Sequence, residues 1–305
     1  MSARKTEWQG VFVVTVTPFT EAGDIDWTAF DTLLDTYVAD GVQGVIVAGS
    51  TGEWYNLHDD ERVALFERAV RRIGGRVKVL GGSAAISTRD TVALTRAAGD
   101  AGCDGVMVLP PPYALPNERE LLAHFTAVAA VGVPVMVYNN PGRTQVNLTA
   151  PVISKLAELD TVVALKESTK DLYQIATTVH AVGERLAVFS GLEPYAVATI
   201  GRGAVGIVSM GANILGADAV DLWRHARDGE WAAARAVEQR MDRLYEAFYA
   251  GGYGAYVVIK ACMNLVGRPA GFPRRPHLPV DAEGLAELSR TLTAIGARLV
   301  ESGDR

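Results

Sequence analysis

The chain has 305 residues, 49% of them hydrophobic and 21% charged, enough to bury a large core as one big domain or as one plus a small appendage. Its 29 basic and 35 acidic side chains give a formal charge of −6, which argues against a binder of nucleic-acid backbones. Two cysteines, Cys103 and Cys262, stand far apart without CxxC spacing, so neither a disulfide framework nor a zinc site is expected, and a reducing, cytoplasmic setting fits.

The opening residues Met1–Glu7 carry no apolar signal core, and no apolar run is long enough to span a bilayer, so no membrane partner is expected. From there eight short apolar runs follow in order: Val11–Val16, Gly44–Ala48, Val77–Gly81, Gly105–Leu109, Pro134–Tyr138, Val162–Lys166, Leu186–Ser190 and Ala204–Val208. Most are nearly continuous rather than alternating, which is the pattern of parallel strands covered on both faces. Amphipathic segments lie between them. Asp26 opens one near Trp27–Asp40, a second spans Asp59–Arg72, and a third runs from Ser87 to Asp100. Asn117, Asn147 and Lys170 or Asp171 open others. Strand then helix, eight times, predicts a (β/α)₈ TIM barrel. A doubly wound sheet would usually need fewer strands, and no Gly-rich dinucleotide turn follows the first run. After about Asp221 helical segments take over, near Trp231–Tyr249, Tyr253–Leu265 and Asp281–Val300. The expected organisation is a barrel over residues 1–224 and a C-terminal helical extension over 225–305.

Barrel active sites lie at the C-terminal ends of the strands. Read there, the second run gives Gly49-Ser50-Thr51-Gly52-Glu53, the fourth Pro110-Pro111-Pro112-Tyr113 and the fifth Tyr138-Asn139-Asn140-Pro141-Gly142-Arg143-Thr144. The sixth ends at Lys166, and Gly191 and Val208 stand at the ends of the seventh and eighth. Lys166 closes an otherwise apolar run. Burial disfavours an ammonium, so a lysine so placed is a candidate Schiff-base former. Ser50 and Thr51 offer hydroxyls and backbone N–H groups for a carboxylate. Tyr138 and Tyr113 offer phenols for proton relay, and Arg143 a planar fork for a second carboxylate. Gly191 and Val208 join Thr51 and Arg143 as expected substrate contacts.

Each feature also has a plainer reading. GSTGE could be a tight turn, Tyr138 a layer-closing aromatic, Arg143 a surface ion-pair residue and Lys166 a rim lysine paired with Glu167. Among six lysines, Lys78 begins a strand and reads as structural, and Lys260 reads as amphipathic packing on a C-terminal helix. No His sits at a strand end, so a His-based triad or metal site has little support.

With these motifs in order, the chain resembles the pyruvate-dependent class I aldolases of the dihydrodipicolinate synthase and N-acetylneuraminate lyase superfamily. The likeness runs from Gly10-Val11-Phe12-Val13-Val14-Thr15 and Thr17-Pro18-Phe19 to the helical tail. It implies that Lys166 forms the imine with pyruvate, that Tyr138, Ser50 and Tyr113 form the proton relay, and that Thr51 holds the pyruvate carboxylate. Arg143 pulls toward the synthases, where its counterpart holds the carboxylate of aspartate semialdehyde, while Lys170-Asp171-Leu172-Tyr173-Gln174 is similar to the lyase branch.

The chain departs from the synthase pattern at Leu192-Glu193, where the family has Asp-Asp. It departs again at Tyr253–Lys260, where the synthases have Asn-Pro-x-Pro-Val-Lys, and at Ser50, which stands for the first of two threonines. Residues lining the lysine-inhibition site of regulated synthases correspond to Asp59, Arg62, Ile86 and Pro112, so lysine feedback is not expected.

The resemblance implies pyruvate and a small aldehyde as partners, no metal and no cofactor. In the family the Tyr113 counterpart reaches into a neighbouring subunit's site, which implies a homodimer or homotetramer. Aspartate semialdehyde is the first-choice aldehyde. The alternatives are another 2-keto acid aldolase, dehydratase or hydratase-aldolase, of 2-keto-3-deoxy sugar acid or sialic acid type, or a non-catalytic keto-acid-binding protein.

Overall fold

The computed structural model describes residues 5–300. Eight strands, β1 (Gly10–Val14), β2 (Gly44–Val47), β3 (Lys78–Gly82), β4 (Gly105–Val108), β5 (Val135–Asn139), β6 (Val162–Glu167), β7 (Ala187–Ser190) and β8 (Gly206–Ser209), close into a barrel. Each pairs in parallel with the next, and β1 pairs with β8 through Gly10↔Gly206 to Val13↔Ser209. The expected (β/α)₈ TIM barrel is the fold. Helices follow the strands in turn at Trp27–Ala39, Asp59–Ile73, Thr88–Asp100, Glu118–Ala129, Ala150–Leu156, Leu172–Val182, Ala196–Ile200 and Gly216–Arg227. Three more, Trp231–Ala247, Ala255–Leu265 and Ala282–Ala294, form the C-terminal extension.

The continuous apolar runs resolve into two cores. Side chains alternate across each strand. Phe12, Val14, Ile46, Leu80, Met107, Met136, Tyr138, Ala164, Phe189 and Val208 point inward and fill the barrel. Their neighbours Val11, Val13, Val45, Val79, Val106, Val137, Leu165, Val188 and Ile207 point outward against the helices. Trp8 plugs the floor, its ring 6.1 Å from Phe12. Phe12 in turn meets Phe189 edge-on at 5.1 Å.

One irregularity sets the geometry of the site. Val135 faces Val162, but Met136 faces Ala164, so Val163 is an extra residue in β6. Such a bulge re-aims the side chains beyond it. Past it, Tyr138 lies opposite Lys166 and Asn139 opposite Glu167, with Ala164 and the Tyr138 ring inside the barrel.

Helix ends follow the expected caps in most places. Asp26, Ser87, Asn117 and Asp171 each accept from backbone N–H groups of the first turn; such a cap contributes about 1 kcal/mol. Two expectations are corrected. The helix after β5 opens at Thr149, not Asn147, because the Asn147 side chain is bonded to Gln174 and Asn139. The last helix stops at Ala294 rather than running to Val300, because Gly296 turns the backbone left-handed (φ 76°) and Ala297 N–H closes onto Leu292 O at 2.9 Å. No helix among the described residues is long and apolar enough to cross a membrane.

Candidate active site

The loop after β2 is a tight turn whose residues are held from below. Glu53 N–H donates to Ser50 O at 3.1 Å and Thr17 Oγ1 to Gly52 O at 2.8 Å. Ala48 and Glu53 sit at positive φ (53° and 57°) on either side, a conformation that costs energy for residues with a Cβ unless the surroundings enforce it. The enforcing contact is Lys260. Its ammonium meets Glu53 Oε1 at 2.5 Å with both side chains 1% exposed, donates to Phe272 O at 2.8 Å and lies over the Phe19 ring. Burial lowers the Lys260 pKa to about 8 against the pull of Glu53. Lys260 is therefore the centre of a buried ion pair, not an amphipathic stem as the sequence suggested. With this anchor, Thr51 is buried and Ser50 half-buried, and neither hydroxyl has a hydrogen-bond partner among the described residues.

Lys166 is 3% exposed. Its Nζ stands 4.1 Å from the centre of the Tyr138 ring, and among the described residues no carboxylate lies within ion-pair distance of it. Glu167 points to the other side of the strand, so the plainer reading of a Lys166–Glu167 pair does not hold. Its carboxylate takes Asn139 Nδ2 at 3.0 and 3.1 Å and Thr169 N–H at 2.7 Å. Burial pushes its pKa up to about 7 in spite of these bonds.

Gly191 packs against Lys166 so closely that a Cβ would meet Ser168 Oγ at 1.9 Å and Lys166 Cε at 3.0 Å. Only glycine leaves room for the lysine chain there. Ser168 Oγ is buried with no hydrogen-bond partner among the described residues. Sequence reasoning assigned it no role. Val208 is fully buried beneath, opposite Phe12.

The Tyr138 hydroxyl accepts from Asn140 Nδ2 at 2.6 Å, a partner that sequence reasoning did not assign. No hydrogen bond joins Tyr138 to Ser50 or Tyr113 among the described residues of this chain. Tyr113 is 91% exposed, at φ 71°. Thus Lys166, Tyr138 and Gly191 come together within one chain, and Tyr113 points away from them into solvent. Glu193, where the family pattern has an aspartate, is a brace. Its Oε1 takes Ser209 Oγ, Met210 N–H and Gly211 N–H at 2.7–2.8 Å and ties the loop after β7 to the loop after β8.

Arg143 rises from the short helix Pro141–Thr144, with its guanidinium 5.0 Å from the centre of the Tyr256 ring. Burial works against its charge, but the phenols of Tyr256, Tyr249, Tyr138 and Tyr55 outweigh this and raise its pKa. Its side chain makes no hydrogen bond or ion pair among the described residues, which contradicts the surface ion-pair reading.

The family model described as the dihydrodipicolinate synthetase family matches residues 7–295. The chain belongs to the dihydrodipicolinate synthetase family. It is 42% identical over 290 residues to an uncharacterized DapA-like lyase of Rhizobium meliloti, covering 95% of this chain and 97% of that one. It is 33% identical over 282 residues to 4-hydroxy-tetrahydrodipicolinate synthase of Bacillus subtilis, covering 92% and 97%. Among solved structures, dihydrodipicolinate synthase of Aquifex aeolicus superposes with TM-score 0.91 at 31% identity, covering 96% of this chain and all of that one. YagE of E. coli K12, a family member in complex with pyruvate, superposes with TM-score 0.92 at 28% identity, covering 96% of this chain and 100% of that one. This member of the dihydrodipicolinate synthetase family is accordingly an enzyme, a lyase of the class I aldolase type.

Proposed function

We propose that this lyase forms an imine between Lys166 and pyruvate and adds the resulting enamine to an aldehyde, aspartate semialdehyde by first choice. The observation that carries the reading is the setting of Lys166, a buried lysine at the catalytic end of the barrel with a tyrosine at its side and no carboxylate within ion-pair distance among the described residues. The amine nitrogen attacks the ketone carbon, and loss of water leaves an iminium. The iminium draws electrons from the neighbouring methyl group, which loses a proton to give the enamine. The enamine carbon bonds to the aldehyde carbon, the aldehyde oxygen takes up a proton, and water releases the product from Lys166.

Tyr138 stands where protons must move, and a positioned acid–base group contributes about 10²–10⁴-fold. Ser50 and Thr51, with hydroxyls free of partners among the described residues, are assigned to the pyruvate carboxylate and the relay. Arg143, with its donors free of partners among the described residues, is assigned to a carboxylate on the aldehyde. Gly191 and Val208 shape the pyruvate end.

Tyr113 completes the relay in this proposal from a neighbouring subunit, as part of a dimer paired into a tetramer. Its exposure, with Leu115 and Ile86 exposed at 58% and 59%, supports a subunit contact there. A cytoplasmic setting suits two free cysteines, one of them buried.

A second reading keeps the imine and changes the aldehyde. It is favoured by the helix start at Ala255–Tyr256, which replaces the synthase's Asn-Pro. Borohydride reduction in the presence of pyruvate, read by mass spectrometry, tests the core of the proposal. A pyruvate-derived mass on the peptide carrying Lys166 is expected, and its absence would refute the imine.

A further inference from the structure

Helix Ala255–Leu265 opens with Ala255-Tyr256-Val257-Val258. Its first turn delivers Tyr256 to the barrel mouth, where the side chain is 7% exposed. The Tyr256 ring lies beneath the Arg143 guanidinium at 5.0 Å, and its phenol is within the electrostatic reach of Tyr138, Arg143, Tyr55 and Tyr249. The Tyr256 hydroxyl has no hydrogen-bond partner among the described residues, and neither has the Arg143 fork. Arg143 is exposed, and the Tyr256 hydroxyl is not among the buried unpartnered atoms, so both groups are open to a ligand rather than tied up within the chain. Two kinds of donor therefore converge, unpaired, beside the Lys166–Tyr138 pair.

We propose that Tyr256 is a positioning and specificity-determining residue for the second substrate. Its ring holds the Arg143 fork over the barrel mouth, and its hydroxyl bonds the same carboxylate that the fork receives. The inference rests on the reading of Lys166 as an imine former. Arg143 stands on a four-residue helix at the surface, and a free arginine side chain loses much rotamer freedom when it binds. Stacking on an aromatic face removes part of that cost in advance. A carboxylate can accept from both edges of the fork and still take an O–H donor on a remaining lone pair. A proline at this position, as in the synthase pattern, offers neither ring face nor hydroxyl. The substrate class implied is an aldehyde whose far end is a carboxylate lying over the start of helix Ala255–Leu265.

The test uses pyruvate with two aldehydes of equal carbon count, succinate semialdehyde and butanal, and follows aldol formation in the intact chain, Tyr256→Phe and Tyr256→Leu. The intact chain should favour the carboxylated aldehyde. Tyr256→Phe keeps the stack and should lower kcat/KM for that aldehyde about 10-fold, mainly through KM. Tyr256→Leu loses the stack as well and should lower it about 100-fold. Butanal turnover should fall far less than that of succinate semialdehyde, and the borohydride-trapped pyruvate adduct should still form in both variants. Equal loss with both aldehydes would make Tyr256 merely structural and overturn the proposal. So would an unchanged preference, or an intact chain that forms the adduct yet does not favour succinate semialdehyde. Absence of the adduct in the intact chain would refute the imine reading and this inference with it.

Discussion

Two lysines are buried in this chain to nearly the same degree, Lys166 at 3% and Lys260 at 1% exposure, yet their surroundings are opposite. Lys260 has a carboxylate at 2.5 Å, a carbonyl at 2.8 Å and an aromatic face. Lys166 has an aromatic face and no anion within ion-pair distance among the described residues. A buried charge with a full set of partners is structural. A buried amine without them is held for something that arrives from outside. Burial thus raises suspicion about both lysines, and the partner decides between them.

The largest expected effect separates the two roles outright. Lys166→Ala should lower kcat by about 10⁴-fold or more, because the proposed covalent intermediate is lost, while stability measured by urea unfolding stays the same or rises. Retained turnover would erase the distinction. Lys260→Ala should act first on stability. It strands Glu53 uncompensated in the core and should cost about 3–5 kcal/mol in urea unfolding. The double substitution Glu53→Leu with Lys260→Leu should recover most of that loss. A Lys260 variant as stable as the intact chain would show the ion pair to be idle.

Gly191→Ala comes next. Its new methyl group collides with Ser168 and the Lys166 chain, so kcat/KM should fall about 100-fold, with a stability cost of about 1–3 kcal/mol from overpacking. A loss of stability alone, with normal kcat/KM, would mean that the Lys166 chain has more room than the packing indicates.

The smallest effect concerns the carboxylates, which repeat the contrast. Glu53 has a lysine, whereas Glu167 has amide donors and a pKa raised to about 7 by burial. A carboxyl with a raised folded pKa takes up more protons when folded. Its contribution to stability is therefore full below about pH 4.5 and fades as pH rises through about 7. Glu167→Gln should flatten the stability profile over that interval, measured by urea midpoints at stepped pH. An unchanged slope would place that titration elsewhere, for instance at Glu238, a half-buried carboxyl also raised to about 7.

Much of the barrel was legible because parallel strands leave a local mark. All eight apolar runs overlap the observed strands, and Asp26, Ser87, Asn117 and Asp171 mark helix starts by chemistry within three residues. Lys166 was legible because a charge closing an apolar run is locally anomalous. What escaped the sequence depends on distant partners. Glu53 meets Lys260, and Arg143 meets Tyr256, across more than a hundred residues, and periodicity carries no trace of either pairing. Asn147 has the side chain of a helix cap, but Gln174 and Asn139 claim it. The extra residue Val163 looks like any other valine in a run of them.

That valine has a consequence for how the chain tolerates change. Strand side chains obey an odd–even rule, and Val163 sets the parity of everything from Ala164 to Glu167. Because Val163 is the residue in excess, deleting it closes the bulge and leaves Ala164 to Glu167 in register, whereas losing a second residue between Val162 and Lys166 would exchange the two sides of the strand, sending Glu167 into the barrel and Lys166 out among the helices. A substitution there is a matter of packing, whereas a change in count is a matter of arithmetic. The stretch should therefore accept many apolar residues and the single deletion that closes the bulge, but no further loss.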